Sequence, residues 1–132
     1  MIEIALLTTA LLFGGMVLYS FAFAPFLFNT LPAETAGPLI RKAFPHFYLF
    51  VLGTSALAGA MVAVSGDTRS AILLAVIALT TVYARQILMP SINAATDAKK
   101  SGRFKALHGF SVLITLAHIG VAGVVLIRLA ST

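Results

Sequence analysis

Four apolar runs, each long enough to cross a bilayer, follow one another along this chain with only short polar gaps between them. They cover Ile4 to Phe28, Phe44 to Val64, Ala71 to Pro90 and Leu107 to Leu129. A spanning helix needs roughly 20 apolar residues to cross about 30 Å of hydrocarbon. Inside hydrocarbon every backbone N–H and C=O must find a partner within the protein, and a single segment achieves that only as a helix. The expected fold is therefore all-α, an integral membrane antiparallel four-helix bundle forming one domain over residues 1–132. Short gaps favour an up-down-up-down order.

Composition agrees. Hydrophobic residues make up 60% of the chain and charged residues 10%, against about 25% charged in ordinary soluble domains. A soluble domain this small exposes too much of its surface to hide that apolar excess. There is no cysteine, which excludes disulfides, thiolate metal sites and cysteine nucleophiles. The first run is not read as a cleaved leader. It opens on Met1-Ile2-Glu3 without a basic region, and its only small-x-small site, Ala22-Phe23-Ala24, is followed by Pro25.

The net charge of +5 reads as membrane topology, not nucleic-acid binding, because the basic residues sit in the gaps between spans. Arg41, Lys42, Lys99, Lys100, Arg103 and Lys105 fall on one side, and Arg69 and Arg128 on the other. The positive-inside rule places the richer side in the cytoplasm and both termini outside, in a bacterial inner membrane. Anionic lipid head groups are the expected partners of the basic loops. Thr30 is expected to cap a short helix with Pro32 in its first turn. Ser91 to Arg103 is expected to be a polar loop, with Ser101-Gly102 marking the break before the last helix. Pro25 is expected to kink or end the first helix. Lys42-Ala43-Phe44-Pro45-His46 and Lys105-Ala106-Leu107-His108 echo each other at the start of the second and fourth helices, which suggests a parallel repeat.

Few residues offer chemistry. His46 and His108 lie at the basic edge, and His118 lies near mid-span. Ser111 and Thr115 continue from His108 along one face towards His118, making a polar stripe in an apolar helix. Such a stripe serves interhelical hydrogen bonding, a proton relay, or ligation of heme or a metal by facing imidazoles. Arg85 is the one charge well inside a span. It either snorkels to head groups and helix-end carbonyls or binds an anion such as a heme propionate. In the second span, the small-xxx-small pairs Ser55/Gly59 and Ala56/Ala60 allow close helix packing or homo-oligomerisation. No intramembrane carboxylate pair and no glycine-rich phosphate loop is present, so hydrolase chemistry is not expected.

Several of these residues together form a recognisable set. Pro25, Leu31-Pro32, Phe44-Pro45, Tyr48, Pro90, Asn93 and the cluster Phe104, Leu107-His108-Gly109, Ser111 resemble the transmembrane-protein-205-like family of small four-helix membrane proteins. Its bacterial members are described as a domain of unknown function, and the resemblance implies no catalytic activity. Where family members often carry Glu before the third-helix proline and Arg after it, this chain has Met89 and Ser91. The expected function is a non-enzymatic accessory or oligomerising membrane module. The alternatives are a cytochrome b-type heme or metal protein using His108 with His46 or His118, and a small dimeric transporter.

Overall fold

A computed structural model describes all of residues 1–132, and it holds four helices, each long and apolar enough to cross a membrane. They are α1 (Ile2–Thr30), α2 (Ala33–Val64), α3 (Thr68–Asp97) and α4 (Ser101–Ala130). Consecutive helices pack against each other, and α4 closes the ring by packing on α1 as well as α3. The core is formed by residues such as Leu12, Met16, Val51, Leu74, Ile77 and Val125. Only 25 of 132 residues are buried, while Leu7, Leu79, Leu113 and Ile127 stand fully on the outside. That outward apolar surface suits lipid and would aggregate in water. Three buried hydroxyls are satisfied within their own helices. Thr9 donates to the Ala5 carbonyl at 2.8 Å, Ser55 to Val51 at 2.6 Å and Thr81 to Ile77 at 2.6 Å.

Every helix runs beyond its apolar run, and the loops shrink accordingly. α2 has 32 residues, or about 48 Å at 1.5 Å per residue, so it extends well past the hydrocarbon at the basic end. The short helix expected after Thr30 is the first turns of α2. Thr30 still belongs to α1, and the N-cap position is Pro32, whose carbonyl accepts from the Thr35 and Ala36 amides at 2.9 Å. The polar stretch expected as a loop from Ser91 to Arg103 is mostly helical too. α3 continues to Asp97, and Ser101-Gly102 already begins α4. The break lies at Lys99, which adopts φ 57° without being glycine. Its amide bonds the Thr96 carbonyl at 3.1 Å, and the Lys100 amide bonds Ala95 at 3.0 Å. These are the two bonds of a left-handed helix end.

Pro25 does not end α1. The helix widens into a π-helical segment, Tyr19–Phe23, and then continues. α3 repeats the device, with a π-helical segment at Ala84–Leu88 placed identically ahead of Pro90. Loosening the hydrogen-bond ladder by one residue is one way a helix accommodates a proline that has no N–H to offer. The recurrence in the first helix of each hairpin matches the echo seen in the second.

The end opposite the basic loops is tied by one polar cluster. Asp67 caps α3, accepting from the Ser70 amide at 3.1 Å and the Ser70 hydroxyl at 2.7 Å. From α4, Arg128 donates to Ser70 Oγ and to Asp67 Oδ1, both at 3.1 Å. The Ser70 hydroxyl and amide, and then Arg128, hold the Asp67 carboxyl below the usual carboxylate range. A folded-state pKa below the unfolded value of about 4 stabilises fully above that value, and the contribution disappears as pH falls through the folded pKa. Thermal stability in detergent is therefore expected to drop as pH falls below about 4. Asp67→Asn, which can still cap the helix, is expected to flatten that part of the profile. An unaltered acid limb in the variant would assign the acid sensitivity to other carboxylates.

Candidate functional site

At the basic end, α2, α3 and α4 enclose a small cavity of ≈ 50 Å³. α2 lines it with Arg41, Phe44 and Tyr48, α3 with Met89, Ile92 and Asn93, and α4 with His108 and Ser111. Apart from the adjacent Ile92 and Asn93, the lining residues of each helix are three or four positions apart, which puts them on one face, a turn above one another. The lining is mixed: a guanidinium, a phenol, an amide, an imidazole and a hydroxyl against three apolar side chains. Tyr48 and Ser111 are buried, Asn93 is half-buried, and His108 and Arg41 reach the exposed rim.

Arg41, on the cavity lining, is held by a two-pronged bond to Asp97, which is not itself a lining residue. Its Nη1 donates to Asp97 Oδ1 at 2.8 Å and its Nη2 to Asp97 Oδ2 at 3.0 Å. Asp97 follows Asn93 by one turn of α3, so the same helix face supplies both a cavity wall and the partner of the cavity's one cation. His108 stacks on Phe104, with centroids 5.5 Å apart and planes at 8°. Its carbonyl accepts from the Ser111 hydroxyl at 2.7 Å. Behind the cavity an aromatic cluster braces α1 against α2. Tyr19 stacks on Phe47 at 4.1 Å and meets Phe44 edge-on at 5.6 Å.

The structure brings together five of the residues singled out from sequence: Phe44, Tyr48, Asn93, His108 and Ser111. The others serve elsewhere. Pro25 and Pro90 follow the π-helical segments, Pro32 forms the α1–α2 turn, and Leu107 is half-buried one residue before His108. The Pro45 carbonyl accepts from Arg85 Nε at 3.4 Å, while Arg85 Nη1 donates to Gln86 at 2.9 Å. Arg85 thus contacts a carbonyl of the neighbouring helix and does not line the cavity.

The three histidines occupy separate surroundings. His46 lies in a lipid-facing groove between α1 and α2, beside Tyr19, Phe23 and Phe50. His108 lines the cavity between the other three helices. His118 is buried, and its Nε2 shares a hydrogen bond with Thr80 Oγ1 at 2.6 Å, while Thr80 Oγ1 also lies 2.7 Å from the Val76 carbonyl of its own helix. No group of three or more metal-ligating side chains forms. The His108 cavity is also far below the roughly 300–1,000 Å³ of pockets that hold drug-sized ligands.

Sequence reasoning counted Arg41 as a topology charge facing lipid phosphates, not as part of a site, and left Asp97 aside. Both were detectable. Arg41 precedes Phe44 and Tyr48 at helical spacing, and Asp97 is the one acid among the basic residues of its turn.

No curated protein and no solved structure matches the chain. One family model does match, over residues 7–101, and its description is a domain of unknown function, DUF4149. The matched stretch contains the cavity residues of α2 and α3 together with Asp97, and it stops where α4 begins. The narrower likeness to the transmembrane-protein-205-like group rests on the motif residues alone. This four-helix membrane protein belongs to the DUF4149 family, a family of uncharacterised domains.

Proposed function

We propose that the protein is a non-enzymatic membrane module whose basic end faces the cytoplasm and engages anionic lipid head groups. The observation that supports this reading is the charge imbalance at that end. Arg41 is paired with Asp97, but Lys42, Lys99, Lys100, Arg103 and Lys105 form no salt bridge to a carboxylate. Each such charge near an anionic leaflet contributes about 1 kcal/mol of attraction. The cavity at the same end is lined by Arg41, Tyr48, Asn93 and His108, side chains that can each donate a hydrogen bond. The test is native mass spectrometry of the purified protein with equal amounts of phosphatidylglycerol and phosphatidylcholine. Preferential retention of the anionic lipid is expected. Equal retention of both would remove the reading.

Self-association is a second reading, favoured by a groove of ≈ 530 Å³ between α2 and α3. It is lined by Ala56, Gly59 and Ala60 on one side and Ala71 and Ala75 on the other. Small residues along such a groove let another helix approach closely in lipid. Light-scattering mass in detergent decides it: a dimer that Ala60→Leu converts to monomer supports it, and a monomeric native protein excludes it.

A further inference from the structure

The cavity at the basic end has two properties that general attraction to lipid does not require. It is an enclosed recess built from three helices, and its only cation is already occupied by an internal carboxylate. At ≈ 50 Å³ it has room for a tetrahedral anion or a couple of waters, at roughly 30 Å³ of liquid volume per water. Its polar lining can hydrogen-bond such an anion from several directions: Arg41, the Tyr48 hydroxyl, the Asn93 amide and the His108 ring. None of the Tyr48 hydroxyl, the Asn93 amide and the His108 ring nitrogens is engaged by another side chain or by the backbone.

The Arg41 guanidinium presents two parallel N–H groups to Asp97 at 2.8 and 3.0 Å. A phosphate presents the same pair of oxygens, so carboxylate and phosphate compete for one fork. The pair is exposed, with side-chain exposures of 44% and 62%, and an exposed pair is weak enough to exchange. Asp97 ends α3 immediately before the turn that carries Lys99 and Lys100, so a displaced carboxylate moves into a basic neighbourhood.

We propose that the cavity is a phosphate-binding site in which Asp97 is the resident competitor for Arg41, displaced when a phosphate group enters. This rests on the reading that the basic end engages anionic lipid, and it narrows that reading to one recess and one chemistry. The phosphate belongs either to a lipid phosphomonoester such as phosphatidic acid or to free inorganic phosphate.

The test uses the full-length protein in detergent and three chains: native, Arg41→Gln and Asp97→Asn. Calorimetric titration with inorganic phosphate forms one arm. Competition between phosphatidic acid and phosphatidylcholine by native mass spectrometry forms the other. Arg41→Gln is expected to lose phosphate-group binding by roughly tenfold or more. Asp97→Asn is expected to tighten it roughly two- to fivefold, the factor corresponding to an exposed ion pair that no longer has to be displaced. Both variants break the same Arg41–Asp97 contact, so opposite effects cannot arise from lost folding. Binding in the first arm identifies free phosphate as a ligand, and binding confined to the second identifies the lipid headgroup. Anionic lipid retained equally by all three chains would overturn the proposal while leaving the broader reading intact. Weakened binding in Asp97→Asn would also overturn it, by making Asp97 a supporting residue and not a competitor.

Discussion

Gly59→Leu is expected to destabilise the bundle by about 1–3 kcal/mol, the usual cost of forcing extra atoms into a packed interface. Gly59 lies where α2 meets α3. A Cβ built on it would sit 3.4 Å from Leu74 Cβ and 3.9 Å from the Ala71 carbonyl oxygen. One methyl is therefore near the limit of the space, and Leu74 is itself fully buried. A leucine crowds Leu74 at its Cβ and turns its outer carbons into the α2–α3 groove, and the cost comes from loosening this contact, because in lipid close van der Waals packing holds the helices together. Gly59→Ala serves as the control and is expected to be close to neutral. The measurement is the unfolding midpoint of both variants in mild detergent. A leucine variant as stable as the native protein would show that α2 and α3 do not pack as described. Leu74→Ala combined with Gly59→Leu is expected to recover part of the loss, since the two side chains compete for one space.

The second large effect concerns a polar contact at mid-span. Thr80→Val is expected to cost about 1–2 kcal/mol, although valine nearly matches threonine in shape. It leaves the buried Nε2 of His118 without its hydrogen-bond partner 2.6 Å away, in a setting where no bulk water replaces it. An orphaned polar atom costs its full desolvation penalty, whereas removing both partners costs much less. Thr80→Ser, which keeps the hydroxyl, is therefore expected to retain most of the stability. The double change Thr80→Val with His118→Leu is expected to be less destabilising than the sum of the single changes. Interhelical hydrogen bonds in membranes average nearer 0.6 kcal/mol in such cycles, so a coupling near zero would mean that His118 finds another partner. The same cycle weighs packing against ligation. A histidine whose stability contribution depends on Thr80 is committed to the α3–α4 contact.

The two ends of the bundle are tied differently, and the proposed phosphate site draws on that difference. At one end Asp67 sits at 21% side-chain exposure within a cluster of four hydrogen bonds that joins it to Ser70 and Arg128. At the other, Arg41 of the cavity lining meets Asp97 in a more exposed pair. The first arrangement fixes α4 to the α2–α3 turn. The second is weak enough to be exchanged for a ligand, and it is surrounded by unpaired lysines and Arg103.

What the sequence determined by itself was the set of spanning elements. Runs such as Ile4 to Phe28 or Leu107 to Leu129 are too long and too apolar for anything but a spanning helix, because hydrocarbon offers the backbone no other partner. The spacing of Arg41, Phe44 and Tyr48, or of His108 and Ser111, also fixed which residues share a face. Helix ends were less legible. Segments such as Met89–Asp97 leave the apolar run but remain helical, since a helix outside the bilayer needs only local hydrogen bonds and no apolar surface. The α3–α4 turn was hidden because Lys99 takes a left-handed conformation usually left to glycine. Only the tertiary structure decided that three helix faces meet around one recess, that Asp97 reaches Arg41, and that His46, His108 and His118 lie apart. Those facts depend on how each helix is rotated against its neighbours. In a helix that is apolar nearly all round, no hydrophobic stripe fixes that rotation, and it is set by close packing at contacts such as Gly59 on Leu74.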